Sequence, residues 1–218
     1  MSKRCNIQVS EFPFHITART VNRQPFAVSI EKVWEILSDE LYFCNKKYGL
    51  EILSFVLMSN HFHLLATTRE TMLGIVLNDF MPNSSKQMNL ESGRINQNWG
   101  GRASRTLITD MNYLTNVYRY IYQNPMRAGL VTRAENYQFS TLHGLVGNGQ
   151  LSVPVTNDPF LFDGDLGKNL DWINARQEKT DVEFIRSSLM HAEFKVPKDK
   201  YKGQLILKSE TPPNLIRL

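Results

Sequence analysis

Apolar and polar residues alternate along Phe12-Pro-Phe-His-Ile-Thr-Ala18, placing Phe12, Phe14, Ile16 and Ala18 on one face. That period of two predicts a half-buried strand. Pro13 cannot donate to a ladder, so the strand begins there or lies at an edge. His15 falls on the opposite face and is expected at the surface, and Arg19 to Gln24 reads as a polar loop. From Ser29 the period changes. Ile30, Val33, Trp34, Leu37, Leu41, Cys44 and Tyr48 recur at helical spacing, with Ser29 as cap and Gly49 as stop. Leu50 to Met58 returns to a strand, Ser59-Asn60 forms a tight turn, and a third strand runs to Thr67.

A second helix is expected from about Thr71, on the stripe Leu73, Val76, Leu77 and Phe80, with Pro82 breaking or kinking it. Arg105 to Thr109 reads as a short strand. Leu114, Val117, Tyr118 and Ile121 then sit at i, i+3, i+4 and i+7 of a helix from about Asn112 to Asn124. Pro125 disfavours helical geometry at the residue before it and so stops that helix. Beyond residue 150 the pattern is weaker. Asp158-Pro-Phe-Leu-Phe162 is apolar enough to pack back, and Thr180-Asp-Val-Glu183 reads as a capping box opening a helix to about Phe194. Lys195 to Lys202 is basic, and the end, with Pro212-Pro213, reads as extended.

The third strand carries the first candidate chemistry. Residues two apart share a face, so His61 and His63 project together and Phe62 turns away. Two imidazoles side by side on a strand can grip a metal ion; a half-buried surface pair is the ordinary alternative. The hairpin fixes the register of both histidines. On the later helix, Tyr120 and Asn124 fall on one flank of the apolar stripe and Tyr122 on the other. Tyr118 belongs to the stripe and reads as buried, and Tyr113 shares the Tyr120 flank two turns earlier.

Composition narrows the class. With 218 residues, 42% hydrophobic and 21% charged, the chain suits a globular domain with an appendage, or two small domains. No apolar run nears the roughly 20 residues of a membrane span, and Met1-Ser-Lys-Arg-Cys-Asn lacks a signal peptide's apolar core. Two cysteines, Cys5 and Cys44, make no disulfide framework, which fits a reducing cytoplasm. The net charge of +4 is unevenly spread. Residues 86–133 hold Lys86, Arg94, Arg102, Arg105, Arg119, Arg127 and Arg133 against only Glu91 and Asp110. Arginine matches phosphate in a bidentate fork and stacks on bases, so nucleic acid is the expected partner. Gly100 and Gly101 permit a close backbone approach, and Arg102 and Arg105 beside them are candidate DNA contacts.

Two segments carry a family resemblance. Met58-Ser-Asn-His-Phe-His-Leu-Leu and Tyr120-Ile-Tyr-Gln-Asn-Pro-Met-Arg-Ala-Gly-Leu-Val resemble, in order, the two signatures of the REP-associated tyrosine transposases, single-tyrosine HUH enzymes. Asn96-Gln-Asn-Trp99-Gly-Gly-Arg102 and Tyr137-Gln-Phe139-Ser140 resemble further family segments, with Thr141 where a second serine is usual. The resemblance runs from about residue 8 to 147. It implies a metal-dependent enzyme that cleaves and rejoins hairpin-bearing single-stranded DNA through a 5′-phosphotyrosine. It implies Tyr120 as nucleophile and His61, His63 and Asn124 as ligands to Mg²⁺ or Mn²⁺; Arg102, Arg105, Arg119 and Arg127 are the arginines expected to contact DNA. The implied fold is α+β: an RRM-like, ferredoxin-like antiparallel sheet with helices packed on one face. Residues 1–149 would form the transposase domain of a cytoplasmic monomer or homodimer, without a membrane partner. Residues 150–218 would be an extension that recognises a hairpin, covers the site or completes the core. A hairpin-binding protein without strand transfer is the alternative.

Overall fold

The computed structural model describes residues 7–95, 97–156 and 165–194. Asp158 to Phe162 and the tail from Lys195 lie outside those residues.

Four strands and two helices follow each other as β1 (Ser10–Arg19), α1 (Ile30–Tyr48), β2 (Glu51–Met58), β3 (His61–Thr68), α2 (Leu73–Ser92) and β4 (Ser104–Leu107). The four strands pair antiparallel with one another and the sheet order is β2-β3-β1-β4, the ferredoxin-like βαββαβ arrangement expected. The Ser59-Asn60 turn sets Met58 opposite His61 and Val56 opposite His63, so the turn dictates the face of both imidazoles. Helix α1 is capped by the Ser29 hydroxyl, which accepts from the Lys32 amide, and ends at Gly49 with φ 66°.

Helices α1 and α2 share one face of the sheet. Trp34 of α1 stacks on Phe55, and Phe80 of α2 meets Phe62 edge-on. Pro82 does not break α2, which runs on to Ser92. Proline forfeits the bond to the carbonyl four residues back and crowds it with its ring, and Asn78 there is an exposed residue on the solvent side of the helix. Ser84 and Met88 continue the buried stripe beyond the proline.

Helix α3 (Met111–Tyr122) lies on the other face, against the surface that carries His63. The expectation of helices on one face therefore describes α1 and α2 alone. Pro125 does not stop the chain's helical course at Asn124: Gln123 keeps right-handed helical geometry (φ −81°, ψ −6°) with its amide bonded to the Arg119 carbonyl, and one further turn follows, α4 (Asn124–Arg127), with Pro125 in its opening turn. Short α5 (Thr141–Leu145) follows, then α6 (Leu166–Asn174) and α7 (Lys179–Ser188). The Thr180 capping box is not formed. Helix α7 starts at Lys179 after Glu178, no side chain caps it, and it ends at Ser188 rather than near Phe194.

Both sheet edges are covered, which removes the unpaired ladder groups that invite aggregation. At β2 the Leu57 amide donates to the Phe139 carbonyl, and the Tyr137 hydroxyl donates to the Leu57 carbonyl. At β4 the Leu107 amide donates to the Ala192 carbonyl and the Phe194 amide to the Leu107 carbonyl. Residues 165–194 also grip α3. Gln123 donates to the carbonyls of Ile173 and Ala175, Arg119 donates to Ala175 and lies over the Trp172 ring, and Tyr113 packs on Phe184 and Phe194.

Candidate active site

Strand β1 sets Thr17 opposite His63 and Arg19 opposite His61, so one sheet face collects His15, Thr17, Arg19, His61 and His63. The His61 and His63 rings are 5.1 Å apart and nearly perpendicular. Helix α3 lowers Tyr120 onto this face, with its ring edge-on to His63 at 6.0 Å between centroids.

The four tyrosines of α3 separate by surroundings. Tyr118 is 0% exposed, and Tyr122 is 1% exposed with its hydroxyl 3.2 Å from that of Thr141. Tyr113 is in the cluster with Phe184 and Phe194. Tyr120 keeps 8% exposure and is the one whose ring borders the histidines. Helical phase separates Tyr120 from Tyr122, and the fold adds what lies beyond each flank.

Each histidine is held through its Nδ1. His61 Nδ1 lies 2.7 Å from Asn60 Oδ1, while the same amide's Nδ2 donates to the Arg23 carbonyl. His63 Nδ1 lies 2.9 Å from His15 Nε2. In both rings the opposite nitrogen, Nε2, is left without a hydrogen-bond partner among the described residues. Burial and the neighbouring Arg19 lower His61 to about 4. Burial, reinforced by His15, His61, Arg127 and Arg19, holds His63 well below the ordinary histidine range. Both are neutral at neutral pH, which is the form that donates a lone pair to a metal.

Asn124 opens α4, one helical turn after Tyr120. Its Nδ2 donates to the carbonyls of Tyr120 and Ile121, which leaves Oδ1 as the open end of the amide among the described residues. Among the described residues no three His, Cys, Asp or Glu side chains group as a metal site. Two imidazole nitrogens completed by an amide oxygen fit a divalent cation that keeps open positions for phosphate oxygens.

The predicted DNA contacts fall in different places. Arg127 lies beside the site: its guanidinium sits 4.4 Å from the Tyr120 ring centre and donates to the Tyr120 carbonyl. Burial lowers its pKa to about 10, so it stays cationic at neutral pH. Arg119 is buried and its guanidinium is engaged with Ala175 and Trp172. Arg105 is opposite Ile16 and therefore faces α2, away from His63. With Arg102, Trp99 and Ser85 it lines a groove of about 910 Å³ between α2 and β4.

Three contributors escape sequence patterning. His15 is expected at the surface yet is 2% exposed, because α3 covers the face it occupies, and burial lowers it to about 3. Asn60 reads as a turn residue but also orients His61. Arg19 reads as loop but ends β1, where burial and the like charges of Arg23 and Arg186 lower its pKa and Tyr120 opposes them. The alternation of His15, Thr17 and Arg19 on the polar face of β1 is the signal that could have found two of them.

No family model matches the sequence, and no curated protein does. Among solved structures the chain is similar to that of a REP-associated tyrosine transposase bound to a REP hairpin. The match has 21% identity, covers 75% of this chain and 96% of the other, and has a TM-score of 0.56. The two share the fold. A Deinococcus radiodurans protein provisionally described as a transposase matches 56% of this chain at 21% identity, but its TM-score of 0.39 is too low to define a common fold.

Proposed function

We propose that this chain is a metal-dependent nickase and strand transferase for hairpin-bearing single-stranded DNA, with Tyr120 as nucleophile. The observation that carries the reading is the 6.0 Å approach of the Tyr120 and His63 rings within one chain. A phenol and an imidazole pair brought together from distant segments are the parts such a reaction needs. The shared fold with a protein solved on a REP hairpin supports hairpin DNA as the substrate class.

His61 and His63, through Nε2, and Asn124, through Oδ1, would hold Mg²⁺ or Mn²⁺, which when bound polarises a non-bridging phosphate oxygen as a Lewis acid. Tyr120 attacks the scissile phosphorus in line. The Oη–P bond forms as the P–O3′ bond breaks, the phenol gives up its proton, and the leaving 3′ oxygen takes one up. The products are a 5′-phosphotyrosine and a 3′-hydroxyl. Because the phosphodiester is conserved in that link, attack by another 3′-hydroxyl rejoins DNA without ATP. Arg127, fixed over the ring, supplies positive charge to the incoming phosphate. Arg102 and Arg105 would contact DNA beyond the cleaved strand, in the groove beside α2. Since tyrosine and histidines belong to one chain, a monomer suffices. Residues 165–194 brace α3, and the reaction is placed in the cytoplasm. Among the described residues no helix is long and apolar enough to cross a membrane.

Incubation with single strands carrying imperfect palindromes, in Mn²⁺, followed by a denaturing gel, tests the reading. A covalent protein–DNA band that disappears in Tyr120→Phe is expected, with DNA binding retained. Cleaved DNA without any such band would show that water, not Tyr120, attacks.

A further inference from the structure

We infer that Arg19, Arg23 and Arg186 form a phosphate clamp beside the site, gripping the backbone of the strand that flanks the cleaved bond; the inference rests on the function proposed above. The clamp gives residues 165–194 a part in binding DNA as well as in bracing α3.

Each arginine reaches the site by a different route. Arg19 ends β1 opposite His61, on the sheet face that Tyr120 covers. Arg23 follows in the next loop and is tied to that face through Asn60, whose Nδ2 donates to the Arg23 carbonyl while its Oδ1 meets His61 Nδ1. Arg186 arrives from α7. Thr106 of β4 is opposite His15 and so shares the face of His63. Its hydroxyl lies 2.8 Å from the Leu189 carbonyl and 2.6 Å from that of His191, which seats the end of α7 on this face. Ile185, Ser188 and Leu189 turn inward there, and Arg186 stays exposed.

All three side chains stand at the surface, and the charges of Arg23 and Arg186 both act on Arg19. No ion pair among the described residues includes any of them. Like charges gathered without a carboxylate repel one another, and an arriving phosphate relieves that repulsion. A cation in the last turn of α7 complements the helix dipole, which would account for Arg186 but not for the other two.

The backbone gives a second sign. Asn22 and Arg23 both lie in the left-handed region, at φ 55° and 59°, a conformation that costs any residue with a Cβ. Glycine adopts it freely, yet an arginine stands here, held by its amide's bond to the Thr20 carbonyl and by Asn60. Strain fixed in place by its surroundings points to a side chain kept for what it does.

The salt dependence of binding counts phosphate contacts. For a single strand, each contact contributes about 0.7 to the slope of log affinity against log salt. The full chain is titrated, in chelator, with a labelled single strand carrying an imperfect palindrome, at salt from about 50 to 200 mM. Arg186→Ala and Arg23→Gly should each lower the slope by about 0.7, and the double variant by about 1.4. Arg23→Gly keeps the loop conformation and the Asn60 bond, so urea unfolding should show no loss of stability; an Arg23 with a purely structural role would leave the slope unchanged. Arg69, paired with Glu51 at the far end of β3, is the charge control, and Arg69→Ala should not move the slope. A slope unchanged in either clamp variant, or lowered as much by Arg69→Ala, overturns the clamp and leaves the proposed function standing. A wild type that binds with these slopes yet forms no adduct overturns the proposed function and leaves the clamp. A wild type that does not bind the strand overturns both.

Discussion

The Tyr120 ring stands edge-on to the His63 imidazole, centroids 6.0 Å apart, although 57 positions of sequence separate the two residues. Strand β3 supplies one side of the contact and α3, crossing the face that α1 and α2 leave open, supplies the other. The other tyrosines of α3 are occupied elsewhere. Tyr122→Phe should leave the DNA adduct intact and cost about 1 kcal/mol of stability, the worth of one hydrogen bond. Adduct yield and urea unfolding check this together. A folded Tyr122→Phe that forms no adduct would move the nucleophile.

Arg127 holds its charge over the Tyr120 ring while donating to the Tyr120 carbonyl, so it serves both the ring's placement and the incoming phosphate. Arg127→Ala should slow adduct formation about 10- to 100-fold, as expected from losing one charged hydrogen bond of about 1.5–3 kcal/mol. Arg127→Lys should recover only part of it, because an ammonium lacks the planar fork. Single-turnover rates on a hairpin strand would show it, and an unchanged Arg127→Ala rate would remove the arginine from the reaction.

Much of this was legible in the residues. The Ser29 cap, the Gly49 stop and the Ser59-Asn60 turn each act locally, and each stands where the pattern puts it; the Phe12–Ala18 alternation is a strand, but it starts at Ser10 and lies inside the sheet, so Pro13 marks neither its start nor an edge. The contributions that escaped are tertiary. His15 looks like a surface residue until α3 covers its face, and Arg119 looks like a DNA contact until Ala175 and Trp172 take its guanidinium. Arg105 is basic in sequence but its strand register turns it to the α2 face. Pro82 misleads for the opposite reason, since α2 carries it through with the residue four positions back, Asn78, on its exposed side.

The grip of residues 165–194 on α3 predicts a stability effect. Gln123 is buried and gives its amide hydrogens to the Ile173 and Ala175 carbonyls. Gln123→Ala takes the side-chain donor from the Ile173 carbonyl, while Ala175 keeps the bond from Arg119, and should cost about 1–3 kcal/mol. Because the same segment braces the helix that carries Tyr120, adduct yield should fall with it. Urea unfolding of the full chain measures the first effect. A loss below about 0.5 kcal/mol would mean that solvent replaces the Gln123 contacts freely.

Acid should unfold the protein from an unusually high pH, and histidine is the reason. Burial lowers His15 to about 3 and His61 to about 4, and His63 lies well below the ordinary 6.5. Folding therefore favours the neutral forms, and the unfolded chain binds protons that the folded one refuses. The stabilisation is full above pH 6.5 and drains away as pH falls from there toward the folded values. Each such group contributes a slope of up to about 1.4 kcal/mol per pH unit. Glu135 is separable by range: burial raises its pKa, but bonds from Asn174 and Arg133 bring it below 4.5, so its contribution is lost only at lower pH. Urea unfolding in chelator, repeated between pH 6.5 and about 4, should show the histidine slope, and His15→Gln should take up about one proton fewer on unfolding across that range. A His15→Gln slope equal to the wild type would mean that His15 is not held neutral by its burial under α3.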